Sequence, residues 1–159
     1  ILEDYEAGRS VVSLRAGPWA ELGELAAQVR TEVFLQEQAI PKEMEWDEAD
    51  ATALHAVAVN RLGQPLVTGR LLEHVPGVGR IGRMAVSRGL RCSQLGRLVM
   101  LSLLETSRQR GDAEVMLHAQ CSAEGFYRRL GFTARGLVFE EAGVRHIEMV
   151  LPLISKEAE

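Results

Sequence analysis

The stretch that most constrains the fold covers residues 80–97 and reads RIGRMAVSRGLRCSQLGR. Ile81, Met84 and Val86 predict a short apolar strand. From Leu95 onward apolar residues recur at helical spacing, which predicts a helix. A strand that passes through a tight, arginine-rich turn into a helix is typical of an α/β protein.

The turn between this strand and this helix has features of a phosphate site. The start of a helix leaves backbone N–H groups without partners and carries partial positive charge. Gly89 and Gly96 remove side chains where a ligand would approach. Full positive charge comes from Arg88, Arg91 and Arg97. We therefore expect a diphosphate here; the alternative is a ligand-free turn whose arginines are only solvated.

The composition narrows the class of protein further. The chain has 159 residues, of which 47% are hydrophobic and 25% charged, so it suits one globular domain. A net charge of −4 argues against binding nucleic acid, which requires a basic face. No apolar run reaches the roughly 18 residues of a membrane span and no leader precedes the fold, so we expect a cytoplasmic protein without a membrane partner. Cys92 and Cys121 are too few for a zinc site, and no metal is expected.

Hydrophobic periodicity and turn signals predict the remaining elements, after a loose terminus at residues 1–9. In chain order they are a strand near 11–14, a helix over 19–34, a hairpin of strands 53–59 and 66–74, the strand that ends at 86, a helix over 93–110 capped by Ser93 and stopped by Gly111, a strand at 114–118, a short helix between Ser122 and Gly131, a strand that begins at Phe132, and a hairpin of strands 137–139 and 146–151.

An acidic loop surrounds Trp46. Its carboxylates are Glu43, Glu45, Asp47, Glu48 and Asp50. Charge runs of this kind are usually solvated connectors, and spacing alone favours that interpretation. The alternative is a pocket for a cationic acceptor, in which the carboxylates attract an amine and one of them removes a proton.

Two motifs resemble those of the GNAT superfamily of acetyltransferases. Residues 91–96 resemble motif A, whose phosphate cradle reads Q/R-x-x-G-x-G/A, with Arg91 first and Gly96 last. Gln94 stands where the middle glycine is expected, so its side chain would crowd a pyrophosphate unless it points away or donates a hydrogen bond. The pattern AxxFYxxxGF at residues 123–132 resembles motif B.

Three longer patterns are similar to the ElaA-type branch of the same superfamily. They are RxxVFxxEQ at residues 30–38, ExDxxDxxAxH at 45–55 and FxExGxxHxxM at 139–149. The resemblance implies that Glu37, Gln38 and Asp47 line a pocket. The full set of predicted acceptor-binding residues is Glu37, Gln38, Glu45, Asp47, His55 and His118. For His55 a hydrogen-bonded strand residue and a pocket wall remain open as alternatives.

The GNAT resemblance implies a fold and a reaction. The fold is a mixed, mostly antiparallel central sheet with helices on both faces, and the reaction is direct transfer of an acetyl group from acetyl-CoA to a primary amine. Tyr127 would act as the general acid that protonates the departing thiolate, and a backbone N–H near Ala85 would face the acetyl oxygen. Base candidates are Glu37, Glu45, Asp47 and His118. A homodimer is compatible with the resemblance.

The same resemblance implies a set of coenzyme A contacts. Pantetheine would run along Met84, Ala85 and Val86, and Gln120 stands where many relatives carry a cofactor-binding Asn. The pyrophosphate contacts would come from Arg91, Cys92, Ser93, Gln94, Leu95, Gly96 and Arg97. A rival is a non-catalytic acyl-CoA sensor, which Gln94 keeps open. An unrelated nucleotide-binding module is disfavoured because no Walker lysine-Ser/Thr pair or G-x-G-x-x-G unit is present.

Overall fold

A computed structural model of the chain describes residues 12–42, 46–90 and 94–153. Seven strands form one sheet in the order β1-β2-β3-β4-β5-β7-β6. The strands are β1 (Ser13–Gly17), β2 (Leu54–Val59), β3 (Pro65–Val75), β4 (Val78–Val86), β5 (Glu114–Gln120), β6 (Thr133–Glu141) and β7 (Val144–Pro152), and the α-helices are α1 (Trp19–Arg30), α2 (Leu95–Gln109) and α3 (Glu124–Arg129).

The sheet is mixed, as the sequence predicts. Only β4 and β5 pair in parallel, and every other neighbouring pair is antiparallel. The predicted mixed, mostly antiparallel sheet is therefore confirmed. The single parallel pair requires a crossover, which α2 provides between β4 and β5.

Helices cover both faces of the sheet because β2 is apolar on both sides. Ala56 and Ala58 point into the largest core cluster, which includes Val99 and Leu103 of α2. Val57 and Val59 point the other way and contact Leu22 and Ala26 of α1. Successive residues of a strand face opposite sides, so a strand buried on both faces reads as a continuous apolar run. The core cluster on the α2 side also contains Val67, Leu71, Ile81, Leu95, Met100, Leu104, Val115, Leu117, Ala119, Tyr127, Phe132, Ile147 and Met149.

The first helix does not end as a regular helix. The α1 segment passes into a π-helical stretch, Thr31–Glu37, so the helical region extends three residues beyond the predicted end. Ala39 then takes a left-handed backbone with φ of 56°. π-Helical turns are rare and are frequently found at functional sites. This stretch carries Phe34 and leads directly to Gln38, and both residues line the cavity described below.

The helix that follows the predicted phosphate turn begins later than expected. It starts at Leu95 with Gln94 at the N-cap position, and no side chain caps it among the described residues. The predicted cap, Ser93, lies outside the described residues. The C-terminal end agrees with the prediction, because Gly111 follows with φ of 93°, a backbone that glycine adopts without strain.

Three strands also differ in extent from their predictions. β1 begins at Ser13 and β4 begins at Val78. β6 covers nine residues and joins the strand predicted to begin at Phe132 to the predicted strand 137–139. Along the described residues, no helix combines the length and apolar character that crossing a bilayer requires.

Candidate active site

The central feature of the site is a gap between β4 and β5. Their parallel ladder joins residues 78–81 to residues 114–117 and then stops. β4 nevertheless continues to Val86, and β5 continues to Gln120. The two strands therefore separate beyond Ile81, and a sheet that opens in this way presents backbone N–H and C=O groups to a ligand.

A β-bulge lies in β4 at the edge of this gap. Thr68 pairs with Ala85 and Arg70 pairs with Gly82, so one residue of β3 faces two residues of β4. One of those two is Arg83, whose φ of 53° is unusual for a residue with a side chain and costs about 1–3 kcal/mol. A bulge changes the direction in which the following side chains point, so the inserted residue changes which side chains of β4 face the gap.

The bulge changes which face of the sheet the end of β4 presents. Ile81 belongs to the core cluster on the α2 side, whereas Ala85, four residues later, contacts Val33 and Phe34 on the α1 side. In an unbroken strand these two side chains would share a face. The extra residue reverses the alternation and leaves Met84 and Val86 facing α2.

The N–H of Ala85 itself does not face the gap, so a donor near Ala85 has to come from a neighbouring residue. Ser87 N–H donates to Leu66 O of β3 at 2.9 Å, and Ala85 pairs with Thr68 of the same strand. In an antiparallel ladder the N–H groups of residues two apart point to the same side. Ala85 therefore directs its N–H to β3, and the backbone of its neighbours Met84 and Val86 is turned to the opposite side.

A cavity of about 420 Å³ lies at the gap. It is lined by residues from the end of the π-helical stretch, from β3, β4 and β5, from α3 and from the β6–β7 turn. These residues are Phe34, Gln38, Ile40, Arg70, Leu72, Arg80, Ile81, Gly82, Arg83, Met84, Leu117, His118, Gln120, Ala123, Tyr127, Glu141, Ala142 and His146.

Tyr127 lines this cavity from α3. Its ring makes edge contacts with Phe126 and Phe132, with centroid separations of 5.1 and 6.0 Å, and only 8% of the residue is exposed. Burial raises the pKa of Tyr127 above its ordinary value, because the phenolate would be poorly solvated there. The side chain is therefore a protonated phenol at neutral pH and can donate a proton.

Two predicted residues, Gln38 and Gln120, meet across the cavity. The Gln120 amide donates to Gln38 Oε1 at 2.9 Å, and the Gln38 amide lies 3.4 Å from Gln120 Oε1. The sequence assigned Gln38 to the acceptor and Gln120 to the cofactor. The hydrogen bond places them in one wall, which ties the π-helical stretch to the end of β5.

His118 is a further predicted residue that lines the cavity, and the structure surrounds it with groups that the sequence did not single out. Arg80 Nη2 lies 3.2 Å from its Nδ1, and Glu141 Oε1 lies 3.6 Å from the same atom. Glu141 also approaches His146 Nε2 at 3.7 Å. Glu141 and His146 occur in the pattern FxExGxxHxxM, from which the sequence indicates only a family resemblance.

The acidic loop is neither a solvated connector nor an open cation pocket where the structure describes it. Asp47 accepts hydrogen bonds from Arg70 at 2.7 and 2.9 Å, and its carboxylate lies 3.1 Å from Arg83. The hydrogen bond from Arg70 lowers the pKa of Asp47 to about 2. A carboxylate held this firmly ionised by arginine is a poor proton acceptor, so Asp47 is unsuited to the predicted role of base.

Asp50 is buried beneath the cavity rather than exposed in it. Its carboxylate accepts hydrogen bonds from the Arg30 guanidinium at 2.8 and 3.2 Å and from the Arg70 guanidinium at 2.9 Å. The Arg30 guanidinium also lies over the rings of Trp46 and Trp19, at 4.5 and 5.5 Å. These contacts make the centre of the acidic loop a structural ion-pair cluster.

His55 belongs to this structural cluster and not to the cavity wall. It is 1% exposed, its Nε2 lies 2.9 Å from the backbone oxygen of Asp50, and its ring contacts Trp19. Burial lowers the pKa of His55, so the ring is neutral. The hydrogen-bonded strand residue is the correct alternative, and the predicted contact of His55 with the acceptor is wrong.

The other predicted residues fall into two groups. Glu45 and the cradle residues Arg91, Cys92 and Ser93 lie outside the described residues. Glu37 is described and exposed on the π-helical stretch, but it does not line the cavity.

The described part of the cradle shows what Gly96 and Gln94 do. A Cβ at Gly96 would lie 3.4 Å from both Phe126 and Val86, so this glycine lets α2 approach α3 and β4 closely. Gln94 is exposed at the helix start and Arg97 is exposed one turn later, while Leu95 is buried in the core. Gln94 is therefore exposed to solvent at the start of α2.

A parallel strand pair that separates over a buried tyrosine is an arrangement suited to acyl transfer, and comparison with known proteins identifies the class. The model of the acetyltransferase (GNAT) domain family matches residues 20–153. The chain therefore belongs to the GNAT acetyltransferase family, and membership is consistent with acyl transfer from a coenzyme A thioester.

Individual relatives agree with this assignment and with the ElaA-type resemblance. The chain is 31% identical over 126 residues to the uncharacterized N-acetyltransferase YjcF of Bacillus subtilis, covering 79% of this chain and 89% of that protein. A solved acyl-CoA N-acyltransferase from Pseudomonas aeruginosa is 33% identical, with a TM-score of 0.76 and coverage of 87% of this chain and 98% of the other. Escherichia coli ElaA is 29% identical, with a TM-score of 0.77 and the same coverage.

Proposed function

We propose that this protein transfers the acetyl group of acetyl-CoA directly to a primary amine, with both reactants held in the cavity between β4 and β5. The observation that carries the proposal is the separation of these strands directly beside Tyr127. The separation opens a strand-shaped space, and Tyr127 supplies a protonated group at its edge. Holding two reactants together in this way accounts for a large part of the rate of such reactions.

The residues around the gap fit a coenzyme A thioester. The backbone of Met84 and Val86 is turned away from β3, so an extended pantetheine arm can lie along it as an added strand. Beyond Val86, the start of α2 and the exposed Arg97 offer backbone N–H groups and positive charge for a diphosphate. Gln94, which keeps the non-catalytic sensor open as a rival, is exposed to solvent at this helix start.

Each chemical step has a residue that can perform it. A C–N bond forms as the amine attacks the thioester carbonyl, and the C–S bond then breaks. The N–H of Met84, rather than that of Ala85, donates to the carbonyl oxygen as negative charge develops there. Tyr127 gives its proton to the departing sulfur. The amine loses a proton to Glu141, whose Oε1 lies 3.6 Å from His118 Nδ1 in the cavity. His118 is less suited to this step, because its Nδ1 is already hydrogen-bonded to Arg80 at 3.2 Å.

An acceptor screen tests the proposal. The protein is mixed with acetyl-CoA and a panel of primary amines, and both the released thiol and the acetylated product are measured. We expect thiol release that depends on an amine and matches the product in amount. Binding of coenzyme A without amine-dependent thiol release from any panel member would contradict catalysis and favour the sensor.

A further inference from the structure

Arg80 is the charged group in the cavity whose partners suggest a ligand. It lies on β4, where it pairs in register with Leu72 of β3 and Met116 of β5. Within residues 12–42, 46–90 and 94–153, no carboxylate lies within 4 Å of its guanidinium. The two other arginines of the cavity wall, Arg70 and Arg83, both contact Asp47.

The side-chain hydrogen bond that Arg80 makes within the described part of the chain, to His118, does not neutralise its charge. A guanidinium can only donate, so His118 Nδ1 must accept with its lone pair. The ring then carries its proton on Nε2, which faces Glu148 Oε1 at 3.7 Å. Arg80 is thus a half-buried cation hydrogen-bonded to a neutral ring, and such a group favours an anionic ligand that can form a charge-assisted hydrogen bond.

The carboxylate of Glu141 also lies close to the imidazole of His118. Its Oε1 is 3.6 Å from His118 Nδ1, the atom that Arg80 also contacts. Glu141 is the last residue of β6, and Ala142 and Gly143 form the turn to β7 with φ of 52° and 76°. A cation and a carboxylate therefore face the cavity side by side, an arrangement complementary to a molecule that carries both an ammonium and a carboxylate.

We infer that the acceptor is a small amine that also carries a carboxylate, with the carboxylate held by Arg80 and the amine placed beside Glu141. This inference rests on the proposed function. The cavity of about 420 Å³ falls near the lower end of the range for small-molecule sites and must also admit the thioester. It therefore suits a compound the size of an amino acid better than a large basic polyamine.

Matched pairs of acceptors test this inference. The acetylation rate is measured for L-α-amino acids and β-alanine, each compared with its carboxamide, which keeps the amine and removes the negative charge. We expect kcat/KM to be at least about 10-fold higher for the preferred acid than for its amide, because a charge-assisted pair is lost. Arg80→Gln should abolish this difference by lowering kcat/KM for the acid only, while the KM for acetyl-CoA stays unchanged.

Two further variants separate a charge effect from a folding effect. Arg80→Lys keeps the positive charge and should retain part of the preference for the acid. Arg108→Gln removes the same charge from an exposed position near the end of α2 and should behave like the unaltered protein. Equal rates for acid and amide, or an equal loss for both in Arg80→Gln, would overturn the inference.

A binding measurement distinguishes failure of this inference from failure of the proposed function. The same acids and amides are titrated by calorimetry into the unaltered protein saturated with coenzyme A. Tight binding of an acid but not its amide, without turnover, would support the acceptor site and contradict acetyl transfer. Turnover of amines with no preference for the acids would overturn the acceptor assignment and leave the proposed acetyl transfer intact. If no acid bound the protein, the acceptor assignment would likewise be overturned, and acetyl transfer to other amines would be unaffected.

Discussion

At the scale of single residues, the surroundings of Tyr127 suit the role of general acid proposed for it. Phe126 and Phe132 enclose the ring, while the residue still lines the cavity. Burial raises the pKa of Tyr127, so the phenol keeps its proton at any pH at which the protein would ordinarily work. Packing against these two rings fixes the orientation of the Tyr127 ring and therefore the position of its hydroxyl group.

Replacing Tyr127 with Phe tests its role as general acid. The ring and its packing are kept, and only the proton that leaves with the sulfur is lost. We expect kcat to fall by about 100-fold or more, since general acid catalysis contributes roughly 10²- to 10⁴-fold. The affinity for coenzyme A, measured by calorimetry, should stay unchanged. A variant with an unaltered kcat at saturating acetyl-CoA would remove Tyr127 from the mechanism.

At the scale of secondary-structure elements, β4 shows what could be predicted and what could not. The apolar residues Ile81, Met84 and Val86 gave the strand correctly, but their spacing of three and then two does not fit a regular strand. The bulge at Arg83 accounts for this spacing, because one inserted residue restores a common face. A bulge depends on the partner strand, so residues within β4 alone do not determine it.

The charged part of the site was harder to predict for a related reason. The partners of Asp47 and Asp50 are Arg30, Arg70 and Arg83, which lie 20 to 36 positions away along the chain. Local spacing shows only a run of acidic residues. Arg80, His118 and Glu141 likewise come from three separate strands, and only the completed sheet brings them together. Tyr127, Gln38 and Gln120 were found because short motifs carry them.

The contact between β4 and the end of α2 gives a prediction about element packing. A Cβ at Gly79 would lie 2.5 Å from Ser107 Oγ, which is fixed by a hydrogen bond to the buried Asp112. We expect Gly79→Ala to lower the free energy of unfolding by about 1–3 kcal/mol, because neither the strand nor the helix can move away freely. The measurement is urea denaturation followed by circular dichroism.

Gly82 provides the matched control on the same strand. A Cβ there would meet no atom within 4 Å, so Gly82→Ala should change the free energy of unfolding by no more than about 0.5 kcal/mol. If both variants were equally destabilised, the loss would come from glycine's backbone freedom in β4, and close packing against α2 would not be its cause.

At the scale of the whole molecule, the ion-pair cluster connects the elements that support the cavity. The Asp50 carboxylate joins Arg30 of α1 to Arg70 of β3. The backbone oxygen of Asp50 lies 2.9 Å from His55 Nε2 of β2. Asp47 extends the cluster to Arg83 in the bulge of β4. The loop that carries both carboxylates therefore ties α1 to the sheet next to the gap, so the geometry of the bulge depends on charges far away in sequence.

This connection predicts how the stability of the protein depends on pH. The hydrogen bond from Arg70 lowers the pKa of Asp47 from 3.8 to about 2, so ionised Asp47 stabilises the folded state. That stabilisation is complete above the unfolded value of 3.8 and is lost as the pH falls through about 2. Because the side chain is 39% exposed, solvent screening limits the effect to about 1 kcal/mol, or about 2–4 °C in Tm.

Asp47→Asn should therefore lower Tm at pH 7, and the difference from the unaltered protein should shrink between about pH 4 and pH 2, where Asp47 itself becomes protonated. Differential scanning calorimetry across this range measures the difference directly. Glu73→Gln, which removes an exposed carboxylate from β3, should show a much smaller difference at every pH. A Tm difference for Asp47→Asn that stays constant down to pH 2 would show that the amide disturbs the loop sterically, and the charge of Asp47 would then not be what holds the cluster to the sheet.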